Sequence, residues 1–101
     1  MERLLGLLGL GMRARQLVVG VDAVRRALQA NEVRCVVVAA DAGPRAAEKV
    51  VRLARGRGVP LVPGPAAEML GARLGRSAVM AVGVRDRALA DGVLRSATGS
   101  P

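Results

Sequence analysis

The chain contains no phenylalanine, tyrosine or tryptophan in 101 residues. A core without rings has to be filled by Leu, Val, Ala and Met, so the fold must rest on close packing of small side chains over regular elements. Apolar residues make up 51% of the chain, and its length suits one compact domain. The same gap narrows function. Unpaired bases would find no aromatic platform, which argues against aromatic-dependent binders of single-stranded RNA. Histidine is also absent, and with it go imidazole acid–base chemistry, the Ser–His–Asp triad and His-ligated zinc. A single cysteine cannot close an internal disulfide, which suits the cytosol.

Hydrophobic periodicity divides the chain into alternating helices and strands. Residues 3–14 read as a mostly buried helix, apolar on most sides through Leu4, Leu5, Leu7, Leu8 and Leu10. Gln16 to Val19 is a short strand ending at Gly20, and Val21 to Ala30 is a helix with Val21, Val24, Ala27 and Leu28 on one face. Val33 to Ala40 is a nearly unbroken β-branched run, as expected of a strand covered on both faces. Gly43-Pro44 opens a helix to about Arg55 that Gly56 or Gly58 stops, with Ala47, Val50, Val51 and Ala54 facing inward. Val59 to Val62, flanked by prolines, predicts a short or edge strand. Pro65 starts a helix through Leu74 that Gly75 ends, Ala78 to Val84 is the last buried strand, and Asp86 or Arg87 begins a final helix to about Arg95. Residues 1–95 are thus expected to form one α/β domain, with 96–101 a disordered tail. The alternation implies βα crossovers and a sheet held between helix layers.

Sixteen Lys and Arg against eight Asp and Glu give a net charge of +8, spread along the whole chain. Such an excess favours a polyanionic partner, nucleic acid above all. Fifteen of the sixteen bases are arginine. Codon bias accounts for arginine over lysine, but not for basic over acidic residues. No stretch approaches the roughly 18–20 apolar residues of a membrane helix. The apolar run from Leu4 to Met12 is short and meets Arg13 and Arg15 at once, unlike a secretory signal. A cytoplasmic protein without membrane contact is expected.

Several local patterns have plain explanations. Gly6, Gly9 and Gly11 reverse the spacing of the dinucleotide-binding fingerprint and follow no strand, so they read as small residues for close helix packing. Arg55-Gly56-Arg57-Gly58 reads as a helix end with basic residues near the negative pole of the dipole. Cys35 lies inside the valine-rich strand, where an inert buried thiol is expected. No spacing sets a nucleophile beside a base, so no enzyme, cofactor or metal is expected. The segment at Gly20 admits two readings. A strand ends, a glycine permits close approach, and a helix begins whose free N–H groups can meet phosphate oxygens, with Arg25 and Arg26 one turn on. Alternatively Asp22 simply favours a helix start and pairs with Arg26 at i,i+4.

Taken in order, LLGLLGLGMRARQLVVGVDAVRRAL, VVVAADAGPRAAEKVVRLARGRGVPLV and LGARLGRSAVMAVGVRD resemble the small ribosomal-protein-type family that binds kink-turn RNA. This is the superfamily of archaeal large-subunit and box C/D proteins, and the likeness is to its bacterial YlxQ-like branch. The resemblance implies a three-layer α/β/α sandwich on a mixed four-stranded sheet. It also implies non-enzymatic binding of structured RNA, ribosomal or kink-turn, in association with the ribosome or translation, with ribosomal proteins as further partners of a monomer.

The family holds RNA at the loop between the first strand and second helix with a Gly-x-Asn-Glu-x-x-Lys pattern. The matching stretch runs from Gly20 to Arg26, with Gly20 in place and Arg26 at the lysine position. Asp22 and Ala23 replace the Asn–Glu pair that reads guanine edges in tandem G·A pairs. Asp cannot reproduce the Asn donor, and Ala makes no side-chain hydrogen bond. Val18 and Val19 stand where stronger binders carry bases, and Arg15 replaces a glycine common after the first helix. A second contact loop corresponds to Gly75-Arg76-Ser77-Ala78. The resemblance therefore implies RNA contacts at Gly20, Val21, Asp22, Arg25, Arg26, Arg76, Ser77 and Ala78. The altered Gly20–Arg26 stretch leaves an alternative: a ribosome-associated protein-interaction domain that kept the fold and lost specific kink-turn recognition.

Overall fold

In the computed structural model, which describes residues 1–97, the elements run α1 (Glu2–Arg13), β1 (Leu17–Val19), α2 (Val21–Gln29), β2 (Cys35–Val38), α3 (Pro44–Gly56), β3 (Leu61–Pro63), α4 (Ala67–Leu74), β4 (Ala81–Val84) and α5 (Arg87–Ala97). The strands form one sheet in the order β1-β4-β2-β3. β4 runs antiparallel to both its neighbours, while β2 and β3 are parallel, so the sheet is mixed.

The period of two along the central strands sorts the core into two clusters. Cys35 and Val37 of β2 join Val82 and Val84 of β4 beneath Leu4, Leu5 and Leu8 of α1, Leu70 and Leu74 of α4, and Val93 of α5. Val36 faces the other way, toward Val24 and Leu28 of α2 and Val50 and Ala54 of α3. The result is a three-layer α/β/α sandwich with α1, α4 and α5 on one side and α2 and α3 on the other. Its largest fully buried side chains are Leu8, Leu28 and Leu70, followed by valines, and no polar or charged side chain of the described residues is buried.

Small residues set the spacing between layers. A Cβ on Gly11 would come within 2.6 Å of Leu89 Cδ2 and 2.9 Å of Leu17 Cδ2, so α1 packs closely on α5 and β1 there and a side chain would have to push those leucine ends aside. Close packing thus explains Gly11, but nothing lies within 4 Å of a Cβ built on Gly6.

Strand and helix starts depart from the periodicity where backbone groups are needed elsewhere. β2 and β4 are shorter than their apolar runs. The Val79 N–H goes to the Ala67 carbonyl at 3.0 Å rather than to a neighbouring strand, so β4 pairs only from Met80, whose carbonyl accepts from Ala39 at 2.9 Å, and its strand proper starts at Ala81. β3 begins two residues later than expected because the Val59 N–H is spent on the Ala54 carbonyl at the end of α3. α4 likewise begins at Ala67, not Pro65. The Pro65 carbonyl accepts from Ala40, and the Ala67 N–H is capped at 2.7 Å by Asp41 Oδ1, a cap from 26 residues away. Asp86 caps α5 through Oδ2, 2.8 Å from the Leu89 N–H, and that helix includes Ser96 and Ala97. The remainder of the expected tail, 98–101, lies outside the described residues.

Candidate nucleic-acid interface

Strand directions decide which loops share an end of the sandwich. Val19 pairs with Val82 across the antiparallel β1/β4 ladder, and the Gly20 N–H donates to the Ala81 carbonyl at 2.9 Å. The turn after β1 therefore lies beside the loop leading into β4. Val38 pairs with Ala81 and with Pro63, which brings the carboxyl ends of β2 and β3 to the same edge. Since α2, α3 and α4 each follow one of these strands, their N-termini all gather there, and helix N-termini carry partial positive charge.

Gly20 turns the chain from β1 into α2 at this edge. Its φ of 101° and ψ of 152° lie in a region essentially closed to residues with a side chain. Space is not the constraint, because nothing lies within 4 Å of a Cβ built there. The Gly20 carbonyl accepts from Val24 at 2.9 Å and opens α2, whose N-terminus has no side-chain cap. The N–H groups of the first turn are thus left to solvent or a ligand. Val21 turns its side chain toward the cluster beneath α2, so only its backbone serves the edge. Asp22 is exposed and pairs with Arg25 at 3.8 Å, not with Arg26 as the i,i+4 spacing suggested. Arg26 is exposed and has no ion-pair or hydrogen-bond partner among the described residues.

The loop before β4 is held to a fixed path. Gly75, at φ 76°, ends α4 in the left-handed region, and the Arg76 N–H donates to the Gly71 carbonyl at 2.7 Å. A Cβ on Gly71 would stand 2.8 Å from the Arg76 carbonyl oxygen and 2.9 Å from the Ala78 N, so the loop lies directly on the helix backbone. Arg76, Ser77 and Ala78 are all exposed. All eight residues expected from the sequence therefore lie at the β1–α2 turn, on α2 or in the loop before β4.

The sequence pattern passes over one further base at this edge. α3 has no acidic residue in its first turn and carries Arg45 there, against the preference of the helix dipole. A base in the first turn after Gly43-Pro44 is the signal that marks it. Uncapped amides with guanidinium groups around them suit anionic oxygens. Cys35 is fully buried, and burial, with a smaller contribution from Asp91, pushes its thiol up from an ordinary 9.0 to about 12. Among the described residues no cluster of His, Cys, Asp or Glu could hold a metal ion, and no helix is long and apolar enough to cross a membrane.

Compared with known families, the sequence matches the Ribosomal protein L7Ae/L30e/S12e/Gadd45 family over residues 2–91. The chain belongs to that family. Among solved structures, a protein of unknown function from Bacillus halodurans is similar at a TM-score of 0.87 and 30% identity, over 92% of this chain and 94% of that one. A 15.5kD RNA binding protein of Giardia lamblia shares the fold at a TM-score of 0.76 and 22% identity, over 96% of this chain and 83% of that one. No curated protein sequence matches. The mixed sheet and two helix layers of this L7Ae/L30e/S12e/Gadd45 chain are the architecture that the sequence resemblance implied.

Proposed function

We propose that the chain is a non-enzymatic, cytoplasmic module that binds structured RNA at the edge where α2 begins, in association with the ribosome or translation. The observation that carries this is the open N-terminus of α2 behind Gly20, on a helix whose last turn carries Arg26, unpartnered among the described residues. Phosphate oxygens accept from the free amides, Arg25 and Arg26 neutralise charge, and Arg76 and Ser77 meet the backbone from the neighbouring loop. Membership of a family named for ribosomal proteins and the shared fold of an RNA binding protein both support an RNA ligand.

Base readout is limited. Asp22 only accepts hydrogen bonds when ionised, and Ala23 offers none, so recognition rests on shape and phosphates rather than on guanine edges. Replacing both Arg25 and Arg26 by alanine should weaken binding of a kink-turn RNA. It should also flatten the dependence of log K on log salt by about 1.4–1.8, since each phosphate left without its cation takes about 0.7–0.9 off the slope. A double variant that binds like wild type with the same slope would refute the placement.

Asp22 and Ala23 favour a second reading, a ribosome-associated protein-interaction domain without specific RNA recognition. Gel shifts with a kink-turn RNA and the same RNA lacking its tandem G·A pairs separate the two. Preference for the intact kink-turn supports specific binding, whereas equally weak, salt-sensitive binding to both supports the second reading.

A further inference from the structure

α2 and α3 lie side by side on one face of the sheet, and between their outer surfaces runs an open groove of ≈ 340 Å³. Its walls follow helical spacing. Arg25 and Gln29 come from α2 at i,i+4, and Lys49, Arg52 and Leu53 from α3 at i, i+3 and i+4, while Arg57 closes one end. No carboxylate lines it. Arg57 is held in position by donating to Asn31 Oδ1 at 3.1 Å, and Arg52 is paired along its own helix with Glu48. Lys49 has no partner among the described residues.

Taking RNA binding at the α2 terminus as given, we infer that this groove is a second track for the phosphodiester backbone of the same RNA. Continuity decides for RNA over an acidic protein. Arg25 belongs to both places, since it pairs with Asp22 in the first turn of α2 and also lines the groove. A strand leaving the open amides of α2 meets Arg25 first, and Gln29 lies about 6 Å further along the helix axis. The groove then offers a row of cationic donors over an apolar floor at Leu53, which suits phosphates in succession and reads no bases.

The test uses a stem–internal loop–stem RNA with tandem G·A pairs, made with short and with extended flanking duplex, and follows binding by anisotropy across a salt series. Three proteins are compared: wild type, Arg26→Ala, and Lys49→Gln with Arg52→Gln. The groove substitutions are at exposed positions, and circular dichroism checks that the fold is kept. Wild type should bind the extended RNA more tightly than the short one. The groove variant should lose that advantage, bind the extended RNA roughly tenfold more weakly at low salt, and show a salt slope shallower by about 1.4–1.8. Arg26→Ala should weaken both RNAs alike and keep the length advantage. An unchanged slope and length advantage in the groove variant, with Arg26→Ala still weakened, overturns the groove and leaves the α2 terminus standing. If wild type binds neither RNA, both readings fall. Poly-glutamate bound as tightly as RNA by wild type, and released by the groove substitutions, would assign the groove to an acidic protein instead.

Discussion

Asp22 is the residue on which the two halves of the candidate site disagree. A carboxylate in the first turn of α2 suits the helix dipole, contributing about 0.3–1 kcal/mol to the free chain. The same charge stands beside the amides and guanidinium groups that would receive phosphate, so what favours the empty helix opposes the filled one. Asp22→Asn keeps the size, removes the charge and restores an amide donor. It should tighten kink-turn RNA binding about three- to tenfold at low salt, where each removed like charge counts most. The same change should lower stability by about 0.3–1 kcal/mol. Titration by anisotropy and a thermal melt read both effects, and unaltered or weaker binding would mean that Asp22 does not face the ligand. This site was partly legible in the sequence, because a strand, one glycine and a helix in succession leave little freedom for where the N–H groups point. Arg45 and the groove bases were not. Periodicity identifies the face of α3 that is buried, through Val50 and Ala54, but says nothing about which exposed bases a neighbouring helix brings alongside.

At the scale of elements, the helices share one way of ending. After α1, α2, α3 and α4 a residue turns left-handed, respectively Arg15 (φ 59°), Asn31 (φ 58°), Gly58 (φ 68°) and Gly75 (φ 76°). At each, the next N–H returns to a carbonyl five residues back: Gln16 to Gly11, Glu32 to Ala27, Val59 to Ala54, and Arg76 to Gly71. This 6→1 bond satisfies carbonyls that a helix end otherwise leaves open. Arg15 makes the same turn as the two glycines while carrying a full side chain, which costs roughly 1–2 kcal/mol in the left-handed region. Its charge near the helix end returns about 0.3–1 kcal/mol. Arg15→Gly should therefore stabilise the chain by about 0.5–1 kcal/mol, a rise of roughly 2–8 °C in Tm for a domain of this size. A lower Tm in a melt would show that the arginine makes contacts worth more than the strain. Element order and type were legible because each amphipathic face points to the sheet. Starts were less so, since Pro65 and Val59 look ready to begin α4 and β3 until distant backbone partners claim them.

For the molecule as a whole, the surface charge and the fold pull in opposite directions, and salt should separate them. A net charge of +8 on 101 residues is self-repelling. The ion pairs Asp22–Arg25, Glu48–Arg52, Glu2–Arg73 and Glu32–Arg85 are all at the surface, where such pairs contribute about 0–1 kcal/mol each. The core that resists this repulsion is packed from leucine, valine and alanine with no buried charge among the described residues, so salt has little to weaken there. Raising NaCl from about 20 mM, where repulsion reaches beyond 20 Å, to about 500 mM, where it is confined to a few ångström, should stabilise the free protein. Relief on the order of 1 kcal/mol corresponds to roughly 4–8 °C in Tm. RNA binding should respond with the opposite sign over the same range, because released counterions drive it only when salt is low. Melts with and without RNA at each salt concentration test both halves together. RNA should raise Tm strongly at low salt by binding the folded state alone, and the two curves should converge as salt increases. A free-protein Tm that falls with salt would mean that the surface pairs outweigh the repulsion. In that case self-repulsion is not what limits the free protein, and the edge of helix N-termini would not need a polyanion to relieve it.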